Sequence, residues 1–207
     1  MQHTKQKIVN TTIRLFNESG FANVSLPHIA KAMGISLGNL TYHFPKKDQL
    51  IMSIFDAFVE DLGRITKGYQ LVDLAEMMQQ LGAFYDFQEK YLFFYLDLLE
   101  LERAFPDLKV RYQAHIQQQI AGLHQGFLLN ESTGLLKSFE DIEIYEGLAL
   151  QYWHTVVFWR MQVAVRGVKS TKDGMLKMAI ALLNPYLTAK GKKNLISINK
   201  NQITKIK

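Results

Sequence analysis

Asn39, Thr41, Tyr42, His43 and Lys47 place an amide, a hydroxyl, a phenol, an imidazole and an ammonium within nine residues. The Asn39 amide can pair with two atoms of an adenine edge, and Thr41 can offer a hydroxyl or a methyl group. Gly38, lacking a side chain, lets the backbone approach a surface closely. Lys47 would stand where a helix begins, so that its ammonium and the free N–H groups of that helix converge on one phosphate. This is chemistry for reading a nucleic acid. A catalytic alternative comes from Gly34-Ile35-Ser36-Leu37-Gly38, which matches the G-x-S-x-G elbow of hydrolases. That elbow requires a strand before the serine, a sheet to present it, and a downstream acid and histidine. The pattern here puts a helix before Ser36, so no enzyme is expected. His115, His124 and His154 are not spaced to share one helix face, and the chain has no cysteine, so no metal or cofactor is expected either.

Two short helices must position those side chains. Ser25 is a suitable N-cap, Ile29, Ala30 and Met33 form an apolar stripe, and Gly34 supplies the positive φ that ends the first helix. Ser36 caps the second, Leu40 and Phe44 anchor it inward, and Pro45 stops it. The result is a helix-turn-helix over about residues 25–44. Val9, Ile13 and Phe16 stripe a preceding helix closed by Gly20, with Phe21 folding back on it. After Pro45, Leu50, Ile54, Phe58 and Leu62 recur every four residues along a long helix ending between Gly63 and Gly68.

The run from Ile29-Ala30 through Gly34-Ile35-Ser36 to Tyr42-His43-Phe44 and Lys46-Lys47 resembles the TetR family of bacterial transcription regulators. The likeness covers roughly the first 60 residues by motif and the rest by architecture. It departs at Leu40-Thr41, where the family often has a Leu-Tyr pair, so base preference does not carry over. The resemblance implies that Tyr42 and His43 contact phosphates and thymine methyls. It also implies that the long helix couples ligand binding to the spacing of two reading heads. The DNA-binding set is therefore Ser36, Gly38, Asn39, Thr41, Tyr42, His43 and Lys47.

Charge divides the 207 residues in the same way. Residues 1–50 carry six Lys/Arg against two Asp/Glu, residues 51–189 carry twelve against seventeen, and residues 190–207 carry six and none. A basic head joined to an acidic domain of different task fits this distribution. The expected organisation is all-α: a helix-turn-helix domain at 1–63, a helical regulatory and dimerisation domain at 64–189, and a basic, disordered tail at 190–207. With no apolar stretch long enough to span a bilayer and no disulfide chemistry, a cytoplasmic protein is expected.

Beyond residue 70 the periods predict helices near 71–88, 91–104, 107–130, 139–166 and 171–187, with Ser138/Asp141 and Ser170/Asp173 as capping boxes. One head covers only a few base pairs, so sequence specificity calls for a homodimer on a palindromic operator. Tyr152, Val156, Trp159, Val163, Leu176, Ile180 and Leu183 are the interface candidates, forming a four-helix contact with their symmetry mates. Seven aromatics crowd residues 84–95, and among them Phe84, Phe87, Tyr91, Phe94 and Tyr95 are the candidate wall of a pocket for a small hydrophobic effector. The function expected is a dimeric repressor released by that effector. The alternative is a helical ligand-binding or adaptor protein without DNA binding, in which the exposed set on the second short helix would have no purpose.

Overall fold

The computed structural model describes residues 2–66, 73–141 and 143–195. The elements are α1 (Gln2–Ser19), α2 (Leu26–Met33), α3 (Leu37–His43), α4 (Lys47–Thr66), α5 (Leu74–Lys90), α6 (Leu92–Leu96), α7 (Leu98–Ala104), α8 (Pro106–Ser132), α9 (Ile144–Val157), α10 (Trp159–Val165) and α11 (Lys172–Leu183). A 3₁₀ turn at Asn184–Tyr186 and a final helix, α12, at 189–195 follow. No strand occurs among the described residues, in agreement with the all-α expectation. Two compact units arise: residues 1–62 with 87–113, and residues 63–86 with 114–207. The head drawn from sequence as 1–63 thus shares its unit with a segment that lies far along the chain.

In the first unit α1 ends at Gly20, whose N–H returns to the Phe16 carbonyl at 2.8 Å. Phe21 then packs edge-on against Phe16 with centroids 5.5 Å apart. The Ser25 hydroxyl accepts from the His28 N–H to start α2, and Gly34 ends it at φ +66°, a conformation side-chain-bearing residues seldom adopt. Ser36 accepts from the Asn39 N–H at 3.1 Å to start α3. Ile29, Ala30, Leu40 and Phe44 are all buried, so the two helices are fastened by their apolar backs. α4 buries Leu50, Ile51, Ile54, Phe55, Phe58 and Leu62 on one face. Phe58 is the hub of that interior, with the rings of Phe94, Phe87 and Tyr91 at 4.6, 4.8 and 5.3 Å. Asp61 accepts from the Tyr91 hydroxyl at 2.8 Å and pairs with Lys90.

The predicted helix over 91–104 is broken at Asp97, and that over 139–166 starts late and breaks at Phe158. Asp97 leaves helical geometry as its carboxylate takes the Phe21 N–H. At Phe158 the break lets Trp159, Arg160 and Val163 all turn inward. Neither expected capping box forms. Ser138 donates to Glu131, Asp141 accepts from the Glu143 N–H, and α9 begins only at Ile144. Thr171, not Ser170, caps α11. Ser170 instead meets Trp159 Nε1 and Arg160 Nη1, each at 3.1 Å.

The second unit closes through its chain end. Leu136 bridges to Leu187, Lys137 N–H donates to the Tyr186 carbonyl at 2.9 Å, and Thr188 caps α12 by accepting from the Gly191 N–H at 3.0 Å. At Gly191 a Cβ would come within 2.1 Å of the Leu135 carbonyl oxygen, so only glycine fits. Residues 190–195 are therefore built into the unit, contrary to a disordered tail starting at 190. The remainder of that tail, 196–207, lies outside the described residues, as does Ile142.

Candidate nucleic-acid interface

The outward face of α3 carries the expected reader. Asn39 and Gly38 are exposed, and Tyr42 is 70% exposed, an uncommon setting for a large ring whose hydroxyl could otherwise be buried. Leu40, one residue from Asn39, is fully buried. A single helical turn thus separates anchor from reader, and the Ser36 cap fixes where that turn starts. Tyr42 and His43 meet edge-to-face at 5.2 Å, and the imidazole Nδ1 is buried with no hydrogen-bond partner among the described residues. The Thr41 hydroxyl is occupied, donating towards the Leu37 and Gly38 carbonyls at 3.0 and 3.2 Å. Thr41 therefore offers its methyl group more readily than its hydroxyl. Gly38 would tolerate a Cβ within its own chain, where the nearest atom is Ser36 Oγ at 3.9 Å, so no internal packing demands a glycine there.

Lys47 departs from expectation. Its ammonium donates to the Phe21 carbonyl at 3.1 Å and lies 3.9 Å from the Phe21 ring centre. Burial pulls its pKa below the ordinary lysine value, an effect that the nearby Glu100 carboxylate opposes. The side chain is turned into its own unit, and the exposed cation at the start of α4 is its neighbour Lys46. Adjacency to a helix start does not reveal which aromatic face lies beside a lysine, so the sequence does not separate these two.

The five aromatics expected to line a pocket are interior instead. Phe87, Tyr91, Phe94 and Tyr95 pack ring to ring around Phe58 in the first unit, and Phe84 is buried in the second. The crevice beside Phe94, lined also by Ile51, Phe55 and Leu108, has no room for a water molecule. Of the seven expected interface residues, Tyr152, Val156, Trp159, Val163 and Leu183 are buried within one copy, while Leu176 and Ile180 are half-buried. The period that marked them therefore also marks residues of the chain's own core, which uses the same apolar residue types as an interface. Two apolar side chains of α9 and α11 remain outside: Leu150, 53% exposed, and Met178, 46% exposed.

The second unit holds a polar chain in its interior. Trp153 Nε1 donates to Gln119 Oε1 at 2.8 Å, and the Gln119 amide nitrogen meets His115 Nε2 at 2.7 Å. Burial lowers the His115 pKa. Nearby in sequence, His124 Nε2, Asn130 Oδ1 and the Tyr152 hydroxyl are buried without a hydrogen-bond partner among the described residues. No group of three or more potential metal ligands forms among those residues, and no helix there is long and apolar enough to cross a membrane.

Comparison with known proteins bears on the whole chain. Residues 8–54 match the family described as bacterial regulatory proteins, tetR family, and residues 55–195 match that described as bacterial transcriptional repressor. The HTH-type transcriptional regulator AcrR of Shigella flexneri is 35% identical over 69 residues, covering 33% of this chain and 32% of that protein. The negative regulator of the biofilm operon icaADBC, IcaR of Staphylococcus epidermidis, is 24% identical over 189 residues, 88% of this chain and 98% of its own. A TetR-family regulator from Marinobacter aquaeolei shares the fold at a TM-score of 0.85 and 24% identity, covering 96% of this chain and 98% of the other. With a head capped and anchored as a helix-turn-helix and both parts of the chain matched, the protein belongs to the TetR family of DNA-binding bacterial transcription regulators.

Proposed function

We propose that the protein is a dimeric repressor that binds a palindromic operator, residues 1–63 reading DNA and residues 64–189 sensing and dimerising. The observation that carries this reading is α3, a capped helix with a buried apolar back and an exposed Asn39 and Tyr42. Asn39 reads a base edge, and Gly38 admits the helix backbone to the groove. Ser36, Thr41, Tyr42 and His43 set its register through phosphate and methyl contacts. Exposed Lys46 and the first N–H groups of α4 supply the neighbouring phosphate contact.

The dimer surface is the outer side of α9 and α11, two helices that pack together and leave Leu150 and Met178 outside. Leu150→Glu together with Met178→Glu yields a folded monomer by sedimentation if this surface is correct. The effector site lies on the α8 and α9 side of the second unit, where buried polar atoms of His124, Asn130 and Tyr152 await a partner. An unmatched buried polar atom costs about 1–3 kcal/mol. An amphipathic effector with both apolar surface and hydrogen-bonding groups suits such a lining.

Selection of random duplex DNA by the purified protein near physiological salt tests the reading. Enrichment of a two-fold symmetric motif is the expected result. A folded protein that enriches no motif, even at lowered salt, would return the weight to the adaptor alternative.

A further inference from the structure

Phe21 lies in the turn between α1 and α2, and both of its backbone polar groups are engaged by side chains from distant parts of the same compact unit. Its N–H donates to Asp97 Oδ2 at 2.8 Å, at the junction of α6 and α7. Its carbonyl accepts from Lys47 Nζ at 3.1 Å, in the first turn of α4. The same ammonium faces the Phe21 ring at 3.9 Å and the Phe16 ring at 5.6 Å, within the range of cation–π attraction. The Phe21 ring is in turn held edge-on by Phe16 and Phe105, at 5.5 and 5.4 Å. Asn17, one turn earlier, repeats the device: its Oδ1 accepts from the Phe93 N–H and its Nδ2 donates to the Lys90 carbonyl, both at 2.9 Å.

To reach a phosphate, the Lys47 ammonium would have to leave a carbonyl and an aromatic face at once. The head would then lose this bond from the first turn of α4 to the α1–α2 turn, since the contact is made by the side chain and not by the helix backbone. We propose that Lys47 is a positioning residue for DNA binding: with Asp97 it clamps the Phe21 peptide, holding the α1–α2 turn, the start of α4 and the α6–α7 junction in one DNA-competent arrangement. A consequence is that any rearrangement of the α6–α7 junction that withdraws Asp97 frees the turn leading into the helix-turn-helix. The inference rests on the DNA-binding reading of the head.

The test is a salt series of affinity on a duplex enriched by the wild-type protein, alongside hydrogen exchange of the free protein. Each phosphate contact contributes about 0.9 to the slope of log affinity against log salt. Lys46→Ala, which removes one contact from each head of the dimer, should flatten the slope by about 1.8. Lys47→Met should weaken binding about tenfold, the scale of a lost charged hydrogen bond, with the wild-type slope. A Lys47→Met slope flattened by about 1.8 would overturn the proposal. Should that variant fail to fold, Asp97→Ala takes its place: it should weaken binding at unchanged slope and speed exchange of the Phe21 amide. Asp97→Asn, whose amide oxygen can still accept the bond, should restore both. Asp97→Ala with wild-type affinity and wild-type Phe21 exchange would sink the clamp. If the wild-type protein binds no duplex, the DNA-binding reading fails separately, and the Phe21 exchange still decides whether the clamp exists.

Discussion

The two compact units place their unmatched buried polar atoms differently. In the first, Phe58 and its surrounding rings fill the interior, Tyr91 is matched on Asp61, Lys47 on the Phe21 carbonyl and Asn17 on two backbone groups, and an unmatched buried atom is His43 Nδ1, beside the exposed Tyr42. In the second, Gln119 links Trp153 to His115, yet the His124 ring, the Asn130 carboxamide and the Tyr152 hydroxyl each keep a buried atom unmatched. Matched polar groups rigidify a core, whereas unmatched ones store a cost that a bound molecule can relieve. A reading head needs fixed geometry to hold an anchor and a reader within one turn of α3. A unit that binds an effector, as proposed for the second, needs a place where binding lowers the free energy. The unmatched atom named in the first unit lies on the helix proposed to read DNA, and the three named in the second lie on α8 and α9, where the proposed effector would bind.

The largest effect should come from Phe58→Ala, which empties the hub of the first unit and should cost about 3–5 kcal/mol in denaturant unfolding. A loss below about 1 kcal/mol would show that the aromatic cluster is not tightly packed and would erase the contrast. Next is Asn39→Ala, expected to forfeit about 1–3 kcal/mol of discrimination between enriched and random duplexes while leaving stability unchanged. Equal weakening on both DNAs would move base reading elsewhere on α3.

Tyr152→Phe should act in the reverse sense to Phe58→Ala. Removing a hydroxyl that has no partner should leave the ligand-free protein unchanged or up to about 1 kcal/mol more stable, read from the same unfolding curves. A clear destabilisation would mean that the hydroxyl is matched after all. The smallest effect concerns pH. Burial depresses the His115 pKa below its usual 6.5, so the unfolded chain takes up this proton at higher pH than the folded one. Stability is therefore full above about pH 6.5 and falls as pH drops through that value toward the lower folded pKa. The melting temperature should decline more steeply between pH 6.5 and pH 5.5 than in His115→Gln. Parallel declines would remove His115 from the account.

Much of the head was legible because its signals are local. Ser25, Gly34, Ser36 and Pro45 each act within four residues, through caps, a positive φ and a missing N–H, and the helices end where those residues place their ends. The long α4 was equally legible, since Phe58 and Leu62 repeat an anchor every turn. Errors arose wherever a side chain had a choice of partners. Ser138 and Ser170 each had a capping partner three residues away and bonded elsewhere. Asp97 broke a helix that no Gly or Pro interrupts, because its carboxylate takes the Phe21 N–H. Tyr152 and Leu150 lie on one apolar helix and go to opposite sides, one into the core and one to the surface.

The chain's sequence alone determined that its fold is all-α, that a helix-turn-helix occupies residues 25–44, and which face of α3 is polar. These follow from periodicity, capping chemistry and backbone preference, which act over a few residues and need no distant partner. Only the tertiary structure decided that Phe87, Tyr91, Phe94 and Tyr95 pack around Phe58 and that Lys47 faces Phe21 while Lys46 faces out. It also decided that residues 190–195 belong to the second unit. A ring, an ammonium or a leucine has the same chemistry in a core, a cage or an interface. Its role is settled by what the fold brings against it, and those neighbours come from tens of residues away.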